Sequence, residues 1–203
     1  MRTLYTGLNP PQHYNCLHCP MIKIIPRSPD DPAVKKMISI ARDCTHLVFT
    51  SRQAAGLFFD NVPPSDMTGK TWIAVGKATA QCLPFDALVP EKETAEGVVE
   101  LLSRLPLDDS FFLWPHSALS RAVIDNFFTK NNIKYYDCVL YDTISNIPRP
   151  LPSLNEIDEI VFTSPSTIQG FIDAYGSIPK DKVLTPIGPV TSSALHKWMN
   201  GRQ

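Results

Sequence analysis

Four short segments place a small hydroxyl side chain or a glycine at the start of an expected helix. They are Ser51-Arg52, Gly76-Lys77-Ala78-Thr79, Ser164-Pro165-Ser166 and Gly188-Pro189-Val190-Thr191. A helix start presents unpaired N–H groups and a partial positive charge, which suits carboxylates or phosphates. Glycine at such a start lets a ligand approach the backbone closely. Helix capping alone explains Ser or Thr at any one of these positions. Four such loops in two matched pairs favour an anionic small molecule.

Other chemistries lack their residues. No G-x-x-x-x-G-K-[ST], G-x-G-x-x-G or G-x-S-x-G segment is present, which argues against a P-loop, a dinucleotide site or a nucleophile elbow. His13, His18, His46, His116 and His196 form no metal-spaced helical pair. Cys16-Leu17-His18-Cys19, with His13 nearby, is the one metal-like cluster. Its order is not C-x-x-C-H and no second C-x-x-C exists, so it reads as incidental thiols in a short loop. Trp72, Trp114 and Trp198 read as packing residues.

The elements that must position these loops repeat. Val-Phe-Thr-Ser occupies 48–51 and recurs at 161–164, an offset of 161 − 48 = 113. Gly76, Thr79 and Leu83 match Gly188, Thr191 and Leu195, an offset of 188 − 76 = 112. Two separate matches at nearly one offset indicate duplication. Each copy begins with a short apolar run (Leu47 to Phe49; Ile160 to Phe162), as a buried parallel strand does. Helical apolar spacing follows at Ala54, Leu57 and Phe58, and again at Ile168, Phe171 and Ile172. A second short run ends in Gly76 or Gly188 and leads into a second helix.

Between the copies lie a strand at 111–115, a helix near 118–130 and a strand at 135–141. Residues 93–105 form another expected helix, with Thr94 as its N-cap. This alternation predicts α/β architecture: two similar open parallel-sheet domains. Pro-rich stretches at 20–32 and 145–156 mark two crossings, so one domain is inserted into the other. The inner α/β domain is expected over 28–140, and the outer, discontinuous one over 1–22 and 147–203. Linkers fall at 23–27 and 141–146, where IKIIP and VLYDT are placed to pair as a two-stranded hinge.

Composition narrows the class. With 43% hydrophobic and 19% charged residues the chain is globular in type and too apolar for disorder. Its formal charge of −1 shows no basic excess of the kind that nucleic-acid or anionic-membrane surfaces carry. No run approaches the roughly 18 apolar residues of a membrane span, and MRTLYTGLNPPQHYN lacks the apolar stretch of a secretory signal. Five scattered cysteines make a poor disulfide framework. A cytoplasmic protein is expected.

Seven motifs stand in one order: VFTS (48–51), AVG-x-x-TA (74–80), AEG-x-x-x-L-L (95–102), P-x-x-x-x-x-R (115–121), V-x-x-Y-x-T (138–143), VFTSPS (161–166) and IGP-x-T-x-x-AL (187–195). The fifth is met with Cys138 in the place of its valine, as Cys138-Val139-Leu140-Tyr141-Asp142-Thr143. In order, spacing and duplication this set resembles the uroporphyrinogen-III synthase family over about residues 40–195.

The resemblance implies two α/β domains on a flexible two-stranded linker, with the active site in the cleft between them. It implies a small-molecule substrate, the linear tetrapyrrole hydroxymethylbilane, handed over transiently from hydroxymethylbilane synthase. The reaction it implies removes the terminal hydroxyl, inverts ring D through a spiro intermediate and closes the macrocycle with loss of water. No cofactor, metal or nucleic-acid partner is implied, and a monomer suffices.

By the same resemblance Tyr141 is the candidate that assists departure of the hydroxyl; a tyrosine at a strand end can equally be a packing residue. Ser51, Thr79, Ser164, Ser166 and Thr191 are the expected carboxylate binders, with Arg52, Gly76, Thr94 and Gly188 beside them. Lys77 and Arg121 are placed to add charge-assisted bonds. Three departures stand out. The segment between Tyr5 and Ile22 is too short and Pro-rich for a full first helix. The chain stops soon after Trp198, so the outer domain is expected to be shortened. His116-Ser117 replaces a glycine-containing loop. The competing reading is a two-lobed protein that binds an anionic tetrapyrrole without turning it over.

Overall fold

The computed structural model describes residues 1–201. In chain order the first elements are β1 (Thr3–Tyr5), β2 (Leu17–His18), β3 (Ile22–Pro26), α1 (Pro32–Ile40), β4 (His46–Phe49), α2 (Arg52–Phe59), β5 (Thr71–Ala74), α3 (Lys77–Ala80) and β6 (Ala87–Leu88). There follow α4 (Ala95–Leu102), β7 (Phe111–Ser117), α5 (Val123–Lys130), β8 (Lys134–Ser145), β9 (Glu159–Phe162), α6 (Pro165–Tyr175), β10 (Val183–Pro186) and α7 (Pro189–Asn200). The architecture is mixed α/β with parallel sheets. Two compact units form: Pro26–Asp142, and Met1–Ile25 together with the chain from Thr143 onward.

In the Pro26–Asp142 unit, β4 runs parallel between β5 and β7, and β7 runs parallel to β8. The sheet order is β3-β8-β7-β4-β5-β6. Helices on such a sheet bury its strands on both faces, which is why Leu47, Val48 and Phe49 form an unbroken apolar run with no exposed surface. Val48, Ile73 and Phe112 of the sheet close against Val98, Ile124 and Phe128 of the helices.

The second unit has the order β10-β9-β1-β2, with every adjacent pair parallel. Its core packs Leu4, Met21, Ile160 and Phe162 with Ile168 and Phe171. The repeat is thus structural. β4-α2-β5-α3 and β9-α6-β10-α7 each set two parallel strands side by side, with a helix following each.

Some expected elements have different limits. The helix near 118–130 begins only at Val123. Ser117 causes the delay: its carbonyl accepts the Ser120 N–H at 2.9 Å and its Oγ accepts the Leu119 N–H at 3.1 Å, locking a turn first. The helix expected over 93–105 spans Ala95–Leu102, capped by Thr94 Oγ1, which accepts the Gly97 N–H at 3.1 Å. The CLHC segment folds as β2 and its flank. His18 Nε2 lies 2.9 Å from the Gly7 carbonyl, and Cys19 joins the core. Among the described residues no cluster of three or more His, Cys, Asp or Glu is built to hold a metal, and no helix is long and apolar enough to cross a membrane.

Burial separates the thiols. It pushes Cys44 up to about 11 and Cys138 up to about 12, whereas Cys82 is exposed. Only the thiolate is nucleophilic, so brief iodoacetamide treatment at pH 8 should label Cys82 and spare Cys44 and Cys138 until the protein unfolds. Peptide mass spectrometry reads this directly; early labelling of Cys138 in folded protein would contradict the packing.

Candidate active site

β4 delivers its chain to Ser51, whose extended backbone (φ −156°, ψ 151°) turns the strand into α2. Ser51 Oγ accepts the Ala54 N–H at 3.0 Å and also meets the Tyr141 hydroxyl at 2.8 Å, where either group can donate. Tyr141 arrives on β8. The register of β8 on β7 runs residue for residue until a bulge between His116 and Ser117, which sets Ser117 opposite Tyr141.

Tyr141 is only 4% exposed. Burial raises its phenol pKa, and hydrogen bonding from Ser51 and Ser117 partly offsets this. The phenol therefore stays protonated through neutral pH, bonded to the Ser51 hydroxyl, with Ser117 opposite it in the strand register, at the carboxyl ends of parallel strands. That is where α/β sheets place ligands.

The glycine-led helix starts differ from the serine-led ones. Ser51, Thr94 and Ser164 already cap their own helices. Ser164 does so within a capping box: its Oγ accepts the Thr167 N–H at 3.3 Å while Thr167 Oγ1 accepts the Ser164 N–H at 3.2 Å. Ser166 Oγ adds a 2.8 Å bond to Ser164 Oγ. Gly76 and Gly188 lead α3 and α7 with no side-chain cap. Gly76 is extended, and a Cβ there would press on the Glu93 carboxylate, an exposed side-chain end that can swing aside. Gly188 has open space around it but a φ of +82°, which only glycine adopts readily. Pro189 then removes one donor from the α7 start.

The other expected residues spread out. Arg52 and Lys77 open α2 and α3 and are exposed. Thr79 and Thr191, in the first turns of α3 and α7, are buried, so their hydroxyls are turned from solvent. Arg121 is engaged by Glu96 through both guanidinium nitrogens, one bond measuring 2.9 Å. The Arg121 guanidinium in turn holds the Glu96 carboxyl down at about 2. The structure thus joins Ser51 to Tyr141 and Ser164 to Ser166.

Sequence reasoning missed Ser117, Glu93 and Glu96. Only strand register could have found Ser117, because twenty-four residues separate it from Tyr141 (141 − 117). An open depression of about 690 Å³ near Ser110, Asn131 and Lys134 lies at the opposite end of β7 and contains none of these groups.

The family model described as uroporphyrinogen-III synthase HemD matches residues 12–200. The porphyrin biosynthesis protein HemD of Ruminiclostridium josui is 26% identical over 198 residues, covering 88% of this chain and 38% of that protein. A putative uroporphyrinogen-III synthase of Methanocaldococcus jannaschii is 24% identical over 117 residues, covering 55% of this chain and 49% of that protein. The chain thus spans less than half the length of these two curated relatives.

Among solved structures, the uroporphyrinogen-III synthetase of Helicobacter pylori superposes with a TM-score of 0.67 at 17% identity, covering 99% of this chain and 90% of that one. A mutant uroporphyrinogen III synthase of Thermus thermophilus gives 0.65 at 14% identity, covering 98% and 89%. These structures share the fold, and the family match runs through nearly every element described above: the chain belongs to the uroporphyrinogen-III synthase family.

Proposed function

We propose that this chain is a uroporphyrinogen-III synthase, a cofactor-free lyase that cyclises hydroxymethylbilane with inversion of ring D and loss of water. The observation that carries this reading is the buried Tyr141 phenol, bonded at 2.8 Å to Ser51 of the first repeated loop. A protonated phenol can donate to the departing hydroxyl and stabilise the oxygen as its bond to carbon breaks. The uncapped starts of α3 and α7, with Lys77 beside the first, hold substrate carboxylates. Ser51, Arg52, Thr94, Ser164, Ser166, Thr79, Thr191 and Arg121 shape these loops or add to the grip. Fixing both reacting ends of a flexible tetrapyrrole lowers the entropic barrier to closure.

In this proposal the two units are the similar open parallel-sheet domains of the family. The outer one is discontinuous, and the linkers run through 23–27 and 141–146. The protein acts as a cytoplasmic monomer that receives substrate transiently from hydroxymethylbilane synthase. The test is a coupled assay in which hydroxymethylbilane is generated in situ and the oxidised products are separated by isomer. Uncatalysed closure gives type I product. Dominant type III product is expected; type I alone from folded protein would sink the proposal.

A further inference from the structure

Arg121 lies in the turn between β7 and α5, at the carboxyl end of β7, the end where α/β sheets take their ligands. That turn is tied to the strand that carries the phenol, because the Ala118 N–H donates to the Tyr141 carbonyl at 3.0 Å. Within residues 117–122 Arg121 is the single cation. Its Nη1 and Nη2 each donate to a different oxygen of the Glu96 carboxylate. Two parallel bonds of this kind are also how a guanidinium takes the carboxylate of a small molecule.

Two further facts make the partner exchangeable. The side chains are about half exposed, 47% for Arg121 and 56% for Glu96, and an exposed ion pair holds weakly because water solvates both charges. Glu96 also stands in the first turn of α4, where the helix start favours a negative charge with or without Arg121. Release therefore costs Glu96 little. Its carboxyl, held down at about 2, stays ionised at every working pH, so it competes for the guanidinium throughout.

We infer that Glu96 is a stand-in for a substrate carboxylate: it occupies the Arg121 guanidinium in the free protein and gives it up when the substrate binds. That the incoming carboxylate belongs to hydroxymethylbilane rests on the function proposed above; the exchange itself does not. A binding group that is free only part of the time lowers apparent affinity by that fraction. Glu96 thus sets KM and leaves the chemical step alone.

The test compares Glu96→Gln, Arg121→Gln and their double variant with Glu100→Gln, which removes an acid one turn further along α4 as a control for charge alone. Two readouts are taken at fixed salt: kcat and KM for type III product, and the Kd of uroporphyrin III, a stable polycarboxylate, by isothermal titration. Glu96→Gln should lower KM and Kd about two- to fivefold, the range set by an exposed ion pair, with kcat little changed. Arg121→Gln should raise both, and adding Glu96→Gln to it should change nothing more, because the two residues act through one contact. Glu100→Gln should leave both constants where they are.

Glu96→Gln with KM and Kd unmoved or raised would overturn the inference and leave the pair a surface staple. An equal gain in Glu100→Gln, or in the Arg121→Gln background, would overturn it too, since net charge alone would then account for the effect. The expected pattern in Kd, with no type III product from any variant or from the unaltered protein, supports the exchange and removes the synthase reading.

Discussion

Tyr141→Phe is expected to lower kcat for type III product by about a hundredfold, the usual scale for losing a positioned proton donor. KM should change little, because the aromatic ring is kept. The phenol makes a 2.8 Å bond to Ser51, whose other partner, the Ala54 N–H, remains. The stability cost is then about 1 kcal/mol, that of one neutral hydrogen bond. Such a cost leaves the protein folded, so the kinetic loss is readable. Folded Tyr141→Phe protein with undiminished turnover would reduce this tyrosine to a packing residue. Since burial raises the phenol pKa, activity that depends on its proton should persist through neutral pH and fail only in alkali.

The largest structural effect is expected at Gly170. This glycine lies in the middle of α6, fully packed, and a Cβ there would collide with the carbonyl oxygen of Met21. That carbonyl is itself fixed, since it accepts the Asn146 N–H at 2.8 Å while the Met21 N–H donates to Thr6 at 3.0 Å. Backbone pressed on backbone cannot swing aside as a side chain would. Gly170→Ala should therefore cost about 2–3 kcal/mol, as overpacking does, despite the better helix propensity of alanine. Gly56 is the contrast: it sits in α2 with nothing near its missing Cβ. Gly56→Ala should stabilise by up to about 1 kcal/mol. Urea unfolding of both variants decides the matter, and equal stabilities would mean that α6 does not lie as close to Met21 as described.

Much of this arrangement is legible in the chain because local rules and the repeat coincide. The second Val-Phe-Thr-Ser predicts a strand ending at Phe162 and a helix capped by Ser164, and both form as the first copy does at Phe49 and Ser51. The same logic cannot separate Gly76 from Gly188. They match in the repeat, yet one is extended and lies against the Glu93 carboxylate while the other holds a φ of +82°. Nor does it show that Arg121 is already neutralised by Glu96, which is a contact between the turn before α5 and the first turn of α4 rather than a spacing. Ser117 is hidden for a third reason. A bulge shifts strand register by one residue, and that shift alone decides which hydroxyl faces Tyr141.

The strand order β10-β9-β1-β2 carries a consequence for how the molecule is made. β1 emerges from the ribosome well before its neighbour β9, which lies more than 150 residues later, as in the pairing of Thr3 with Glu159. The unit from Pro26 to Asp142 has all its strands and helices available long before β9 is synthesised. A nascent chain can thus complete that unit while the first strands wait with an open edge. Pairing across so long a separation is slow, and an open strand edge invites mispairing in the interval. Translation that pauses between β8 and β9 should lengthen this exposure, and chaperones that cover apolar segments would be most needed then.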